Sequence, residues 1–431
     1  MAASRAKDEL RALSRSTFSV VIVWSLLRLV AFLAASDNFP YPRGAFLGSD
    51  VLIFQSWAPG LSHLHFPVHD PRWQYPPGAG IFLTIPQWIS QVLTNIGLTF
   101  HYDQAFQLVV LLADLALLAV LIWAGRRFHA PASGLSGAWL WALAPLFIGP
   151  LIAARFDTVA GLVAVAALIL LFTKRPTWAG ILMGVGALIK AWPVLMIFGA
   201  KRRELPRTAL GVVVGAGAVT ALGLLWTNSW SFLSNELHRG LQIESVGALP
   251  WVISWRFGHP PTYTYAYGAL EIVAAHARTV GLAMSLLGLA LLLVLAALRV
   301  TGRLENVRGV DVAYTALLVS VVTSRVYSPQ YDIWLVAVGA AVLLDRRTML
   351  RPAVWFIVAA SAFGQLVYPV VYWELTAGQT SGVAIQTLRV LCLLAAFGYS
   401  YLKVVRAGLT KTSEHPHQDL DQPTAASIDA K

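Results

Sequence analysis

One short polar stretch concentrates the side chains able to do chemistry. Between Gly48 and Gly78 the chain carries Asp50, Asp70, His63, His65, His69, Trp57 and Trp73, directly after its first strongly apolar run. Carboxylates and imidazoles exchange protons, and indoles offer large amphipathic faces, so such a segment pinned at a bilayer surface reads as a site. Lys190 stands out for the opposite reason. It lies inside an apolar run, where a charge costs about 2.5–3.5 kcal/mol on insertion scales, so it has either a partner or a task; snorkelling to an interface is the plainer alternative. A third group is the polar turn Ser324–Asp332, with Arg325, Gln330 and Tyr331. Arginine suits bidentate recognition of anions, and an interfacial anchor is its plainer role. His63-x-His65 and His69-Asp70 supply metal-ligand types, but their spacing matches no helical metal pair, so no metal and no cofactor is expected.

These groups must be positioned by membrane helices. Of 431 residues 57% are hydrophobic and 12% charged, with a mean hydropathy of +0.65; soluble domains carry about 25% charged residues. Apolar runs of near-spanning length recur throughout and strand alternation is absent, which predicts an all-α polytopic membrane protein and not a membrane barrel. The net charge of +11 sits mostly in short basic runs between apolar segments, the pattern of the positive-inside rule, so no nucleic-acid partner is expected. Cys392 is the single cysteine, which excludes an intrachain disulfide and a cysteine-based metal site. Arg5, Lys7, Arg11 and Arg15 precede the first run, which lacks a small-residue cleavage site and reads as a retained span.

Counting charges gives a topology. Residues 1–16 form a cytoplasmic segment, 17–409 the membrane domain and 410–431 a disordered cytoplasmic tail. Spans are expected over Thr17–Ala35, Gln104–Ala124, Leu135–Pro150, Thr158–Thr173, Thr208–Trp226, Val280–Leu298, Val310–Thr323, Ile333–Leu344, Ala353–Val370 and Val383–Leu402. That makes about ten crossings, with both termini cytoplasmic and the loops 36–77 and 227–276 outside, in the plasma membrane. Gly78–Leu98 should lie along the outer surface or dip in and return. Trp178–Gly199, flanked on both sides by basic residues, should form two short helices that dip in and return, with Lys190 and Trp192 near the tip. Such a tip should face a cavity, because irregular backbone at membrane depth needs protein or water to satisfy it.

The ordered motifs Ser49-Asp50, Tyr75-Pro76-Pro77-Gly78, Lys190-Ala191-Trp192-Pro193, Arg239 through Ser245 and Ser328-Pro329-Gln330-Tyr331 resemble glycosyltransferase family 87. This is a group of GT-C-fold enzymes that use a polyprenyl-phosphate sugar outside the membrane. The resemblance implies inverting transfer of a monosaccharide, mannose or arabinofuranose, to an envelope glycolipid or glycan acceptor. It implies Asp50 as the general base, with a helix N-cap as its bland alternative. Lys190 and Arg325 would hold the donor phosphate, with Gln330 and Tyr331 beside the donor. Some family members carry a histidine near this turn where this chain has Gln330, which puts a histidine-assisted step in doubt. His238, Arg239, Glu244 and Trp57 are candidates for acceptor binding. For His238, Arg239 and Glu244 a loop salt bridge is the competing role, and for Trp57 an interfacial belt. Arg155 and Asp157 read as pairing with each other at a span end. The Tyr-Pro-Pro-Gly element reads as structural, its prolines fixing the entry to the surface helix. No Gly-rich phosphate loop is present, as a lipid-linked donor allows. A lipid-linked glycan transporter, or a glycolipid-binding protein without catalysis, is the competing class; its broken helices would suit a midplane site.

Overall fold

The computed structural model describes residues 16–36, 38–42, 47–128, 134–225, 230 and 232–410. The expected N-terminal segment and tail lie outside these, apart from Ser16 and Thr410, as does Trp226. The chain is a mostly helical, multi-pass membrane protein. Among the described residues, six helices are long and apolar enough to cross a membrane: Thr17–Ala35, Tyr102–Phe128, Leu205–Gly223, Ala277–Val300, Arg351–Val370 and Thr380–Leu409. The pair Ser136–Ala142 and Pro145–Ala153, bent by 42°, makes a seventh if it is one span. These are fewer than the crossings expected from charge counting. Four apolar helices, Asp157–Phe172, Pro176–Ile189, Gly309–Val322 and Tyr331–Leu344, are shorter than the roughly 20 residues a bilayer core asks for.

The bend has a local cause and a local remedy. Pro145 interrupts the helix, which leaves carbonyls without intrahelical partners. Arg28, buried in the first helix, donates to the carbonyls of Trp141 at 2.9 Å and Ala142 at 3.2 Å. Its charge is met by Asp114, which also accepts from the indoles of Trp24 at 2.9 Å and Trp141 at 2.7 Å. A fully buried charge is tolerable when paired and hydrogen-bonded in this way.

The stretch Trp178–Gly199 folds as a hairpin, with its turn at Lys190. The helix Pro176–Ile189 ends at Lys190, which is extended (φ −147°, ψ 136°), and Pro193 then opens a 3-10 segment, Trp192–Gly199. Helix Leu205–Gly223 runs beside Pro176–Ile189 in the same direction. A Cβ on Gly180 would meet the Thr208 carbonyl at 2.0 Å, and one on Gly211 the Thr177 carbonyl at 2.2 Å. Both helices therefore start at one level, and Trp192–Gly199 must return the chain to it. Lys174 and Glu204, 3.6 Å apart, join the two feet.

The tip and the feet face different cavities. Lys190, Ala191 and Trp192 line one of about 430 Å³, and Lys174, Gly199 and Lys201 line another of about 720 Å³ whose walls also carry Arg308, Arg346 and Arg347. The basic groups read as cytoplasmic thus gather at the end opposite the tip.

Two further elements complete the fold, and the second departs from expectation. Gly78–Leu98 contains a regular helix, Pro77–Asn95, entered through Pro76 and Pro77; a Cβ on Gly78 would sit 2.6 Å from the Leu188 carbonyl, so this entry packs directly on the hairpin. The stretch 227–276, read as loop, folds into a short helix, Phe232–His238, and a three-stranded antiparallel sheet. Its strands are β1 (Leu241–Gln242), β2 (Thr262–Ala266) and β3 (Ala269–Val273), in the order β1-β3-β2. Tyr267 and Gly268, at φ 53° and 78°, form the two-residue turn between β2 and β3 that suits the twist of a hairpin.

Candidate active site

The smaller cavity collects residues from five separate parts of the chain. Helix Ser49–Ser62 brings Asp50, Phe54 and Trp57, and the segment before Pro77 brings Arg72, Gln74 and Tyr75. The hairpin tip supplies Lys190 and Trp192. The stretch 232–276 supplies Glu236, Arg239 and Tyr267, and the late turn with the helix Tyr331–Leu344 that follows supplies Gln330, Tyr331 and Trp334.

Asp50 is not an N-cap. Gly48 occupies that position and makes no side-chain capping bond, while Asp50 sits in the first turn, where a negative charge meets the helix dipole favourably. Its partner is Arg155. The Arg155 Nε lies 2.9 Å from Asp50 Oδ2, and its Nη1 donates to the carbonyls of Leu47 and Ala154, each at 2.9 Å. Arg155 is 4% exposed, whereas the Asp50 side chain is 28% exposed. The guanidinium is fixed from behind and the carboxylate keeps a face to the cavity.

Arg155 and Asp157 do not pair with each other. They are two residues apart in sequence but belong to different ion pairs, because Asp157 opens the helix Asp157–Phe172 and turns to Lys190. The Lys190 ammonium donates to Asp157 Oδ1 at 2.7 Å and lies 4.6 Å from the Phe156 ring centroid and 5.4 Å from those of Tyr75 and Trp334. An ammonium has three donors, so Asp157 takes one. Asp157 Oδ1 also accepts from the Trp334 indole. Trp334 stacks between Tyr331, with centroids 3.8 Å apart, and Trp192, at 5.3 Å. Lys190, Tyr331 and Trp334 thus form one braced unit on the membrane-helix side.

The other side is polar and comes from the segments around Gln74 and Arg239. Gln74 donates to the Tyr267 carbonyl and accepts from Arg239, each at 2.5 Å. Asn235 donates to the Trp73 carbonyl at 2.8 Å. Asp70 accepts from the Trp57 indole at 3.0 Å and pairs with Arg72 at 2.6 Å. Burial pushes the Asp70 carboxyl up, but Arg72 and Trp57 outweigh it and hold it below the usual range.

The sequence-derived candidates therefore divide. Asp50, Lys190, Gln330, Tyr331, Arg239 and Trp57 line the cavity; Arg325, His238 and Glu244 do not. Arg325 donates to the Arg239 carbonyl at 3.1 Å, and its stem packs on Gly281. His238 is exposed and hydrogen-bonded to the Ser234 carbonyl. Glu244 is sealed behind the site against Gln242 and Arg389, and burial pushes its carboxyl up to about 7 against their pull. Trp73 is fully buried and packs edge-on against Phe66, Trp57 and Tyr75, so it is the core of its loop. His63, His65 and His69 are exposed outside the cavity. Sequence reading missed Arg155 as the partner of Asp50, Asp157 as the partner of Lys190, and Glu236. The first two pairings join segments far apart in sequence, and Glu236 carries no local signal beyond its charge.

A Mycobacterium tuberculosis protein described as a polyprenol-phosphate-mannose-dependent alpha-(1-2)-phosphatidylinositol mannoside mannosyltransferase is 24% identical over 184 residues. The match covers 40% of this chain and 41% of that protein, so it spans about two fifths of the relative's length. The model of glycosyltransferase family 87 matches residues 73–329. That range includes Lys190, Glu236, Arg239 and Arg325, begins after Asp50 and ends just before Gln330. With well over half its length matched, the chain belongs to glycosyltransferase family 87.

Proposed function

We propose that this glycosyltransferase moves a monosaccharide, with mannose first among the candidates, from a polyprenyl-phosphate donor to a glycolipid or glycan on the outer side of the plasma membrane. The observation that carries the reading is the pairing of Asp50 with Arg155. A base must present a free carboxylate face to the proton it removes, and this one is anchored on one oxygen while its side chain stays 28% exposed. In the proposed reaction Asp50 takes the proton of the acceptor hydroxyl as that oxygen attacks the anomeric carbon. The bond to the lipid phosphate breaks, and configuration inverts. Lys190 keeps donors beyond the one given to Asp157 and, with Gln330 and Tyr331, meets the charge that grows on the leaving phosphate. Arg325 acts through the Arg239 backbone and not directly on the donor. The name of the mycobacterial relative supports the donor class and mannose. The gathering of basic loops at the opposite end of the hairpin supports an outward-facing site.

The test is transfer by the purified protein in lipid, offered radiolabelled polyprenyl-phosphate mannose, the equivalent arabinofuranose lipid and an extracted envelope-lipid pool. Product from one donor, lost in Asp50→Asn, is the expected result. No product from either donor by folded protein would overturn the transferase reading in favour of transport or binding. Product that survives in Asp50→Asn would remove Asp50 as the base.

A further inference from the structure

Among the described residues, two carboxylates line the cavity, Asp50 and Glu236. Asp50 is engaged by Arg155. Glu236 accepts no hydrogen bond from any described residue, and its nearest cation, Arg239 Nη1, stands 3.8 Å away. Its side chain is 44% exposed, yet the surrounding protein pushes its carboxyl above the usual range, with Arg239 and Arg325 pulling the other way. A carboxylate in such a place has lost part of its hydration without gaining donors.

Position suggests what supplies them. Glu236 belongs to the short helix Phe232–His238 in the outer stretch, on the side of the cavity built from Arg72, Gln74, Arg239 and Tyr267. Of these, Arg72 and Gln74 already have partners. Arg72 is held by Asp70, and Gln74 bridges Arg239 and Tyr267. The membrane-helix side is different, with Trp192, Val194, Leu195 and Val321 beside Lys190. An apolar chain with a phosphate suits that side, and a polar headgroup suits the other. The two oxygens of an ionised carboxylate accept hydrogen bonds only, which fits two neighbouring hydroxyl groups.

We propose that Glu236 binds hydroxyl groups of the acceptor and selects a saccharide with a vicinal diol close to the hydroxyl that is glycosylated. This rests on the transferase reading above, and it gives to Glu236 the acceptor role that sequence alone offered to Glu244.

The experiment uses the full chain in lipid, with methyl mannoside and a series in which single hydroxyls are replaced by hydrogen. Turnover and saturation-transfer NMR binding are measured in parallel for wild type, Glu236→Gln and Glu236→Ala. A hydrogen bond to a charged group translates into about a 10- to 100-fold effect. Glu236→Ala is expected to raise the acceptor KM by that factor, with the donor KM and melting temperature unchanged. Wild type should also discriminate against one or two of the deoxy acceptors, and the variant should not. A rise in the donor KM, or discrimination that persists in Glu236→Ala and Glu236→Gln, would overturn the proposal. The NMR arm separates the two readings. Glycoside binding that depends on Glu236 without turnover removes the transferase reading and the acceptor role with it, and keeps only Glu236 as the saccharide contact. Turnover with binding indifferent to Glu236 does the reverse.

Discussion

Arg155 and Arg389 are both buried guanidiniums, 4% and 0% exposed, and each holds a carboxylate remote from it in sequence. Arg155 pairs with Asp50 at 2.9 Å, and the carboxylate looks into a cavity of about 430 Å³. Arg389 lies between Glu244, 3.6 Å away, and Asp332, at 3.3 Å, with both carboxylates about 3% exposed. Gln242 ties this second cluster to the late turn by accepting from the Tyr327 amide at 2.9 Å, and Tyr327 itself donates to Asp332. Residue types are the same in both places. The difference is access: one cluster opens to the cavity on one side, and the other is closed on every side and fastens β1, the late turn and the last helix together. Charge and burial therefore do not separate the two clusters; an open face does.

That contrast breaks most sharply at the two ends of activity and stability. Asp50→Asn should lower transfer about 10³-fold, within the range lost with a general base, or roughly 4 kcal/mol of barrier. Its melting temperature should fall less than that of the sealed-cluster variant, because two carbonyls still hold Arg155. Arg389→Met should act the other way. It strands two buried carboxylates, which costs about 3–5 kcal/mol, measured by thermal or denaturant unfolding in micelles. Activity per folded molecule should survive. Loss of activity in molecules that remain folded would place the sealed cluster inside the catalytic apparatus and end the distinction.

The contrast also explains what the sequence could and could not reveal. Apolar runs mark helices because burial in lipid demands them, so Thr17–Ala35 was legible to the residue. Lys190 was legible because a charge in an apolar run is costly, and the flanking Lys174 and Lys201 announced the returning hairpin. The short strands β1 to β3 were hard to read: β2 alternates Thr and Tyr over Thr262–Tyr265, but two to five residues hardly sample an alternation. Pairings were the hardest to read. Arg155 and Asp157 are neighbours in sequence, yet one belongs to Asp50 and the other to Lys190. Glu244 was the more conspicuous glutamate because it sits in a recognisable motif, but within that motif Arg239 reaches the cavity while Gln242 and Glu244 serve the sealed cluster, whereas Glu236, outside any motif, reaches the cavity.

A gentler change sharpens the comparison from the open side. Arg155→Lys keeps the charge but gives up the planar fork that bonds Asp50 and two carbonyls together. Turnover should drop about tenfold, near 1.4 kcal/mol, with both KM values unchanged, because the base is displaced and no substrate contact is removed. If both KM values rise in step with no change in kcat, Arg155 shapes the cavity and does not position Asp50.

The smallest effect lies on the sealed side and concerns pH. Burial pushes the Glu244 carboxyl from its ordinary 4.5 up to about 7. A raised value in the folded protein means that, between these two pH values, the folded state holds a proton the unfolded chain has released. The contribution to stability is complete below about pH 4.5 and fades as pH rises through about 7. Its slope cannot exceed about 1.4 kcal/mol per pH unit for one proton. Glu244→Gln cannot titrate and should lack this part of the slope, so its melting temperature should decline less between pH 5 and 7 than that of the wild type. Asp50→Asn, measured the same way, gives the control from the open cluster. Parallel curves for wild type and Glu244→Gln would mean that Glu244 stays ionised throughout, which a carboxylate sealed behind the site can do only if Arg389 outweighs its burial. The two arginine clusters would then differ in access alone, and not in the protonation of the acids they hold.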